Sequence, residues 1–327
     1  MTRFLAATIG ALSLFTALSA EAAPKVVVSI VPIHSLVAGV MDGIAEPQLL
    51  IPVGASPHTY ALKPSDARML QSANLVVWVG EGLENYLEKP LKSLAGKSAI
   101  MELMDIEGLT LLKTRTGGAF EEHKDDGHAG HAHDKKTAAK KTAKKGANHD
   151  HGHDGTDMHL WLDPDNARLI ATRVAAELGK IDPPNAAAYD ANAQKLADRI
   201  ASLDKSIKTR LASVQDRPYI VFHDAYQYFE LHFGTTVAGS ITVSPDQAPG
   251  AKRLAELRER IRTANATCVF REPQFPAPII DTLVSGTAIK IGILDPEGAD
   301  MTPGPDAYFT LMDRIANSLA TCLQPAS

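Results

Sequence analysis

The chain has 327 residues, with 33 Lys and Arg against 38 Asp and Glu, a formal net charge of −5, and 45% hydrophobic residues. That length makes one large domain or, better, two of average size, and the near-even mixture of signs leaves no electrostatic footprint for nucleic acid. Beyond the N-terminus no segment reaches about 18 consecutive apolar residues, which excludes a membrane-spanning helix.

At the start, Arg3 precedes a mostly apolar run over residues 4–18, and Ala20-Glu21-Ala22 has the small-residue form of a cleavage site. Residues 1–23 therefore read as a secretory signal removed after Ala22 or Ala23, leaving an exported, soluble mature chain. No Cys stands at the cleavage site, so a lipid-modified anchor is not available.

Residues 25–31 form a β-branched run ended by Pro32, which suits a buried strand of a parallel sheet. His34 follows in an apolar helical stretch and reads as structural. Residues 48–53 predict the next strand, which leads into Gly54-Ala55-Ser56-Pro57-His58-Thr59-Tyr60, and Pro64-Ser65-Asp66 opens a helix with Ser65 or Asp66 available as a cap. A strand over 75–79 and a helix over 83–94 complete an α/β unit. Further on, a short apolar run at 160–163, a helix over 166–179 and a long amphipathic helix over 185–214 are expected, the last with Tyr189, Leu196, Ile200, Leu203, Ile207 and Leu211 at helical spacing. Such a helix is long enough to connect two domains. Strands over 219–224, 236–241, 268–270 and 289–294 then alternate with helices over 249–265, 276–285 and 308–323, repeating the pattern of the first half. The expected architecture is α/β: two (β/α) lobes with mostly parallel sheets, joined by one long connecting helix. Its divisions are an N-terminal lobe over 24–183, the connector over 184–214 and a C-terminal lobe over 215–327.

Between the first lobe's elements lies a segment that cannot build a core. Residues 121–157 carry no apolar residue other than Ala, so burial cannot offset the entropy of ordering them, and a mobile insert is expected. It holds seven of the twelve histidines: His123, His128, His131, His133, His149, His151 and His153. Clustered imidazoles with interspersed carboxylates suit borderline divalent metals such as Zn²⁺, Cu²⁺ and Ni²⁺. The alternative is solvated filler, and the irregular mixture with Asp and Gly argues against a tag. The basic run at 135–145 has no aromatics for base stacking and reads as a spacer. The two cysteines, Cys268 and Cys322, stand in an exported chain and are expected to be bridged, tying the C-terminal helix to a strand region.

His58, His223 and Asp295 each come after a short apolar run, and His159 adjoins one at 160–162. Open α/β sheets bind ligands beyond the carboxyl ends of their strands, so four such residues, two on either side of the long helix, are candidates to meet around one ion.

Pro57-His58-Thr59-Tyr60 with Pro64-Ser65-Asp66, His159-Leu160-Trp161-Leu162-Asp163-Pro164, Phe222-His223-Asp224-Ala225-Tyr226, Arg271-Glu272-Pro273-Gln274-Phe275 and Leu294-Asp295-Pro296 resemble, in order, the motifs of the metal-binding solute-binding proteins of ABC transporters, specifically those of high-affinity zinc uptake. The resemblance covers essentially the whole mature chain. It implies two lobes joined by a rigid helix, a metal in the cleft between them, a periplasmic location, a monomer, and delivery to a membrane ABC permease. It also implies a His-rich loop where the insert lies. On this resemblance His58, His159 and His223 take the family's three imidazole positions, and the imidazole at 223, where manganese-type relatives carry a carboxylate, favours Zn²⁺ as the transported ligand. Some zinc members have Glu just before the first His, where this chain has Pro57. Asp295 falls on the family's acidic position, with three roles open to it: direct ligand, ligand through water, or support for a neighbouring His. Water or an insert histidine are the other candidates for the fourth place. The rival readings are a manganese-binding protein of the same family, an exported metal buffer or adhesin, and a hydrolase using an open His₃ site with Glu272 as base. No H-E-x-x-H motif supports the last.

Overall fold

Val26, Val27 and Val28 form strand β1 (Val26–Val28), and none of the three side chains has any exposure. In this computed structural model, which describes residues 23–115, 120, 155–242, 250–263, 265–275 and 278–325, β1 lies between β2 (Gln48–Leu49) and β3 (Leu75–Trp78), with β4 (Ala99–Glu102) beyond β3. All pairings are parallel, in register Val27 with Gln48 and Val76. Because strand side chains alternate between faces, Val26, Val28, Leu75 and Val77 point into one core, while Val27, Val76 and Trp78 point into another with Leu70, Leu87 and Leu91. Helix α1 (Val31–Val40) packs on the first face; Leu70 comes from α2 (Pro64–Ser72) and Leu91 from α3 (Glu88–Leu94). The seven histidines of the insert and residues 1–22 of the expected signal lie outside the described residues.

The chain then forms α4 (Pro164–Ile181), started by Asp163, whose carboxylate accepts from the Asp165 amide at 2.8 Å with Pro164 in the first turn. Next comes α5 (Ala186–Leu211), whose 26 residues run about 39 Å. Its buried stripe, Tyr189, Ala193, Leu196, Ile200, Ile207 and Leu211, packs against α1, α4 and α9 (Ala307–Leu323), so one helix joins the two lobes through a shared core.

The second sheet contains β5 (Pro218–His223), β6 (Thr236–Thr242), β7 (Cys268–Arg271) and β8 (Lys290–Ile293), again all parallel, in the order β6-β5-β7-β8. This is the same topology as β2-β1-β3-β4. Ile220, Phe222 and Val269 face a core with Leu257 and Ile261 of α7 (Ala251–Thr263) and Ile280 and Leu283 of α8 (Pro278–Val284). Tyr219, Val221 and Phe270 face the shared core. The two halves also interlock across their boundary: the Trp161 indole donates to the Pro296 carbonyl at 2.8 Å, and the Tyr308 hydroxyl donates to the Trp161 carbonyl at 3.1 Å.

Two elements escape the pattern analysis. β4 is a sheet edge of partly exposed residues, so alternation is faint there. Helix α6 (Gln227–Phe233) is seven residues rich in aromatics, which are mediocre helix formers, and it stops at Gly234, whose φ of 69° places it in the left-handed region. Helix α3 begins at Glu88 rather than at 83, after a turn.

The expected disulfide joins Cys268 on β7 to Cys322 on α9, with 6.1 Å between Cα atoms. It closes a loop of 54 residues, for which the chain-entropy relation gives about 4 kcal/mol. Cys322→Ser should therefore lower the unfolding free energy by about 2–4 kcal/mol in urea titrations under oxidising conditions, with no difference between variant and wild type once both are reduced.

Candidate metal centre

His58 sits on the loop after β2, a loop pinned to α2 by the Tyr60 hydroxyl, which donates to Asp66 at 2.8 Å. Asp66 also accepts from the Lys63 amide at 2.8 Å, so it caps α2 from inside the first turn. His159 is not at a strand end as its apolar neighbours suggest: residues Leu160–Leu162 form a short 3₁₀ turn, and His159 precedes it. His223 is the last residue of β5, as expected for a strand-end ligand.

The three rings converge from both sides of the long helix. Ring centroids lie 5.8 Å apart for His58 and His159, 5.8 Å for His58 and His223, and 5.1 Å for His159 and His223. The Nε2 atoms of His159 and His223 are 3.2 Å apart, and one ring nitrogen from each of the three histidines lies within 4.8 Å of the others. Two rings are oriented by carboxylates on their far edge. His159 Nδ1 is 2.8 Å from Asp157 Oδ1, which also accepts the His159 amide, and His223 Nδ1 is 2.7 Å from Glu272 Oε1 and 2.8 Å from Oε2. With Nδ1 committed as donor, each Nε2 offers its lone pair inward. The Nε2 of His58 is buried and has no hydrogen-bond partner, so an acceptor lone pair there faces no donor of the protein.

Burial pushes the His58 pKa well below the ordinary histidine range, and the neighbouring His223 and His159 push it the same way. Burial drives the Glu272 carboxyl well above the carboxylate range, with Asp295 adding to the rise and the His223 amide and His159 opposing it. Three imidazoles converging in a largely buried site are a donor set for a borderline divalent cation at a tetrahedral site with one position left open.

Asp295 follows β8 as expected, but its oxygens are occupied. Oδ1 accepts from the Gln274 side chain at 2.9 Å and the Glu297 and Gly298 amides at 3.0 and 2.9 Å, and Oδ2 accepts from Ala299 at 2.7 Å. It closes a turn beside the site and is not part of the three-imidazole group. His34 is not part of this group; its Nε2 donates to the Pro47 carbonyl at 2.9 Å, in the structural role expected of it. Asp157 is a site residue that sequence reasoning did not assign, and Glu272 entered it only as a base for the rival hydrolase reading, not as a partner of His223. The Asp-x-His spacing at 157–159 was a usable local signal; nothing in sequence brings Glu272 to His223, 49 residues away.

Two like-wound parallel lobes that donate imidazoles to one point, held by a single helix, define a two-lobed cation-binding protein of the solute-binding type. Residues 26–322 match the family model described as "ZnuA: Zinc-uptake complex component A periplasmic". The chain is 43% identical over 307 residues to the high-affinity zinc uptake system protein ZnuA of Brucella abortus (strain 2308), covering 91% of each chain. It is 38% identical over 305 residues to the protein of the same name from Yersinia pestis, covering 93% of this chain and 92% of that one. A crystal structure of ZnuA shares the fold at a TM-score of 0.73 and 23% identity, over 92% of this chain and all of that one. The chain belongs to the ZnuA family.

A further histidine, also absent from the sequence-based candidates, lies between the lobes. His232 of α6 has Nδ1 3.0 Å from Asp163, the cap of α4, and Nε2 2.8 Å from Asp204 of α5. Asp163, Asp165 and His232 are close enough to hold an ion, yet both ring nitrogens already meet carboxylates, so the group is an ion-paired tie. Burial lowers the His232 pKa, and Asp163 and Asp204 together more than offset that, leaving it above the ordinary value. A raised folded-state pKa gives stability that is fully present below about pH 6.5 and lost as pH rises through the raised value. His232→Gln should therefore lose more stability in urea at about pH 5.5 than at about pH 9.

Proposed function

We propose that this protein captures Zn²⁺ between its lobes with His58, His159 and His223 and delivers it to a membrane ABC permease for high-affinity import. The observation that carries the proposal is the convergence of three ring nitrogens within 4.8 Å from both lobes, beside a buried His58 Nε2 that has no hydrogen-bond partner. Membership of the ZnuA family and the names of the curated relatives support zinc as the cargo, and an all-imidazole donor set suits Zn²⁺ better than Mn²⁺, which prefers oxygen. The fourth position is filled by water, and Asp295, occupied by four hydrogen bonds, supports the turn beside the site.

The work is reversible capture without turnover. Glu272 is engaged at Nδ1 of His223, the ring edge opposite Nε2, so it is not placed to take a proton from water on an ion held at Nε2. The protein acts as a monomer in the periplasm, exported by residues 1–23, with lobes over 24–183 and 215–327 and a connector over 184–214. The insert histidines His123, His128, His131, His133, His149, His151 and His153 form weaker, faster-exchanging sites that raise the local zinc concentration.

Competitive titration of Zn²⁺ against Mn²⁺ should show one tight site that strongly prefers Zn²⁺. Zinc at about 1,000 times its Kd should add about 4 kcal/mol to unfolding. Glu272→Gln should weaken the tight site by about 10- to 100-fold, and His223→Ala should weaken it further. A tight site that survives His223→Ala would sink the assignment. Zinc competes with protons for imidazole, and burial lowers the His58 pKa, so affinity should hold down to about pH 6.5 and fall only below it.

A further inference from the structure

The two stems of the His-rich segment are paired with each other and lie across the second lobe. Lys113 and Thr156 form an antiparallel bridge, with the Thr114 amide donating to Gly155 and the Asp157 amide donating to Leu112, both at 2.8 Å. Helix α6 of the other lobe closes on this ladder. The Tyr228 hydroxyl donates to the Asp157 carbonyl at 2.7 Å and accepts from the Leu112 amide at 3.0 Å, while the Gln227 side chain donates to the Lys113 carbonyl at 3.0 Å.

At the end of the first stem Arg115 reaches two carboxylates of the second lobe. Its Nε donates to Asp224 at 3.0 Å, its Nη2 donates to the other Asp224 oxygen, and its Nη1 donates to Glu230 at 2.5 Å. The guanidinium also lies over the Phe120 ring, 4.0 Å from its centre. Side-chain exposure is 20% for Arg115, 4% for Asp224 and 19% for Glu230, so this fork is shielded enough for its geometry to matter, and a bidentate guanidinium contact is not reproduced by an ammonium.

Both ends of this arrangement touch the metal centre at one remove. Asp224 is the residue after His223, and Asp157, held by the ladder and by Tyr228, accepts from His159. We infer that the paired stems are a cross-lobe strap and that Arg115 is a positioning residue, which holds the half of the site bearing His223 against the half bearing His159 and thereby sets how fast a bound divalent ion leaves. The inference rests on the zinc-capture reading above. It separates the stems, which shape the centre, from the histidines between them.

The test uses the full-length mature chain loaded with Co²⁺, whose visible d–d bands report ligand geometry, and with Zn²⁺, whose release to excess chelator is followed by stopped flow. Arg115→Ala should speed release by about tenfold or more and alter the Co²⁺ bands. Arg115→Lys should fall between Arg115→Ala and wild type. Tyr228→Phe, which leaves the charge cluster intact, should also speed release, so the idea stays testable if Arg115→Ala does not fold. Wild-type release rates and unchanged Co²⁺ bands in the Arg115 and Tyr228 variants would overturn the strap, even with a lowered melting temperature. If the wild type binds neither ion tightly, or His159→Ala leaves the bands unchanged, the capture reading fails first and the strap fails with it. A wild type that binds normally beside variants that release normally rejects the strap alone.

Discussion

A cation can be gripped by groups from two lobes only if the lobes hold a fixed distance, and here that distance is set by apolar packing beneath the site. One core runs from the inner face of the first sheet, through α1, α4, α5 and α9, to the inner face of the second. The stripe from Tyr189 to Leu211 along α5 is buried against both sides, and Trp161 and Tyr308 add hydrogen bonds across the boundary. Close-packed interiors deform little, so the positions of His58, His159 and His223 are inherited from this core.

On that frame the site is tuned by what surrounds the rings. Asp157 and Glu272 occupy the Nδ1 edges of His159 and His223, which fixes tautomer and rotation together. Burial and mutual repulsion keep His58 neutral, the state in which an imidazole is a ligand. The same carboxylates that would be costly to bury alone are therefore useful beside imidazoles that a divalent ion would polarise. Charge also joins the lobes outside the three rings, through His232 with Asp163 and Asp204 and through Arg115 with Asp224 and Glu230. Polar ties of this kind shift with pH or substitution more readily than the core does, which suits a protein that must hold its cargo and then release it.

The repeated α/β pattern, the connecting helix and the disulfide were all legible from local signals. Val26 to Val28 is a β-branched run that only a doubly covered strand accommodates, and the α5 stripe repeats at helical spacing. The motif order carried the family resemblance, and with it the three histidines. The short elements were not legible: β4 is a partly exposed edge, α6 is built of poor helix formers, and His159 precedes a 3₁₀ turn.

From residue order alone came the composition of the two lobes and the kinds of group available to a cation, because periodicity and donor chemistry are properties of neighbouring residues. Only the folded chain decided which groups meet. Asp295 turned out to be spent on backbone amides while Glu272 reached His223 across 49 residues, and Arg115 met Asp224 across 109. Contacts at that separation depend on how whole sheets pack against a helix, and no local pattern encodes the packing of elements so far apart.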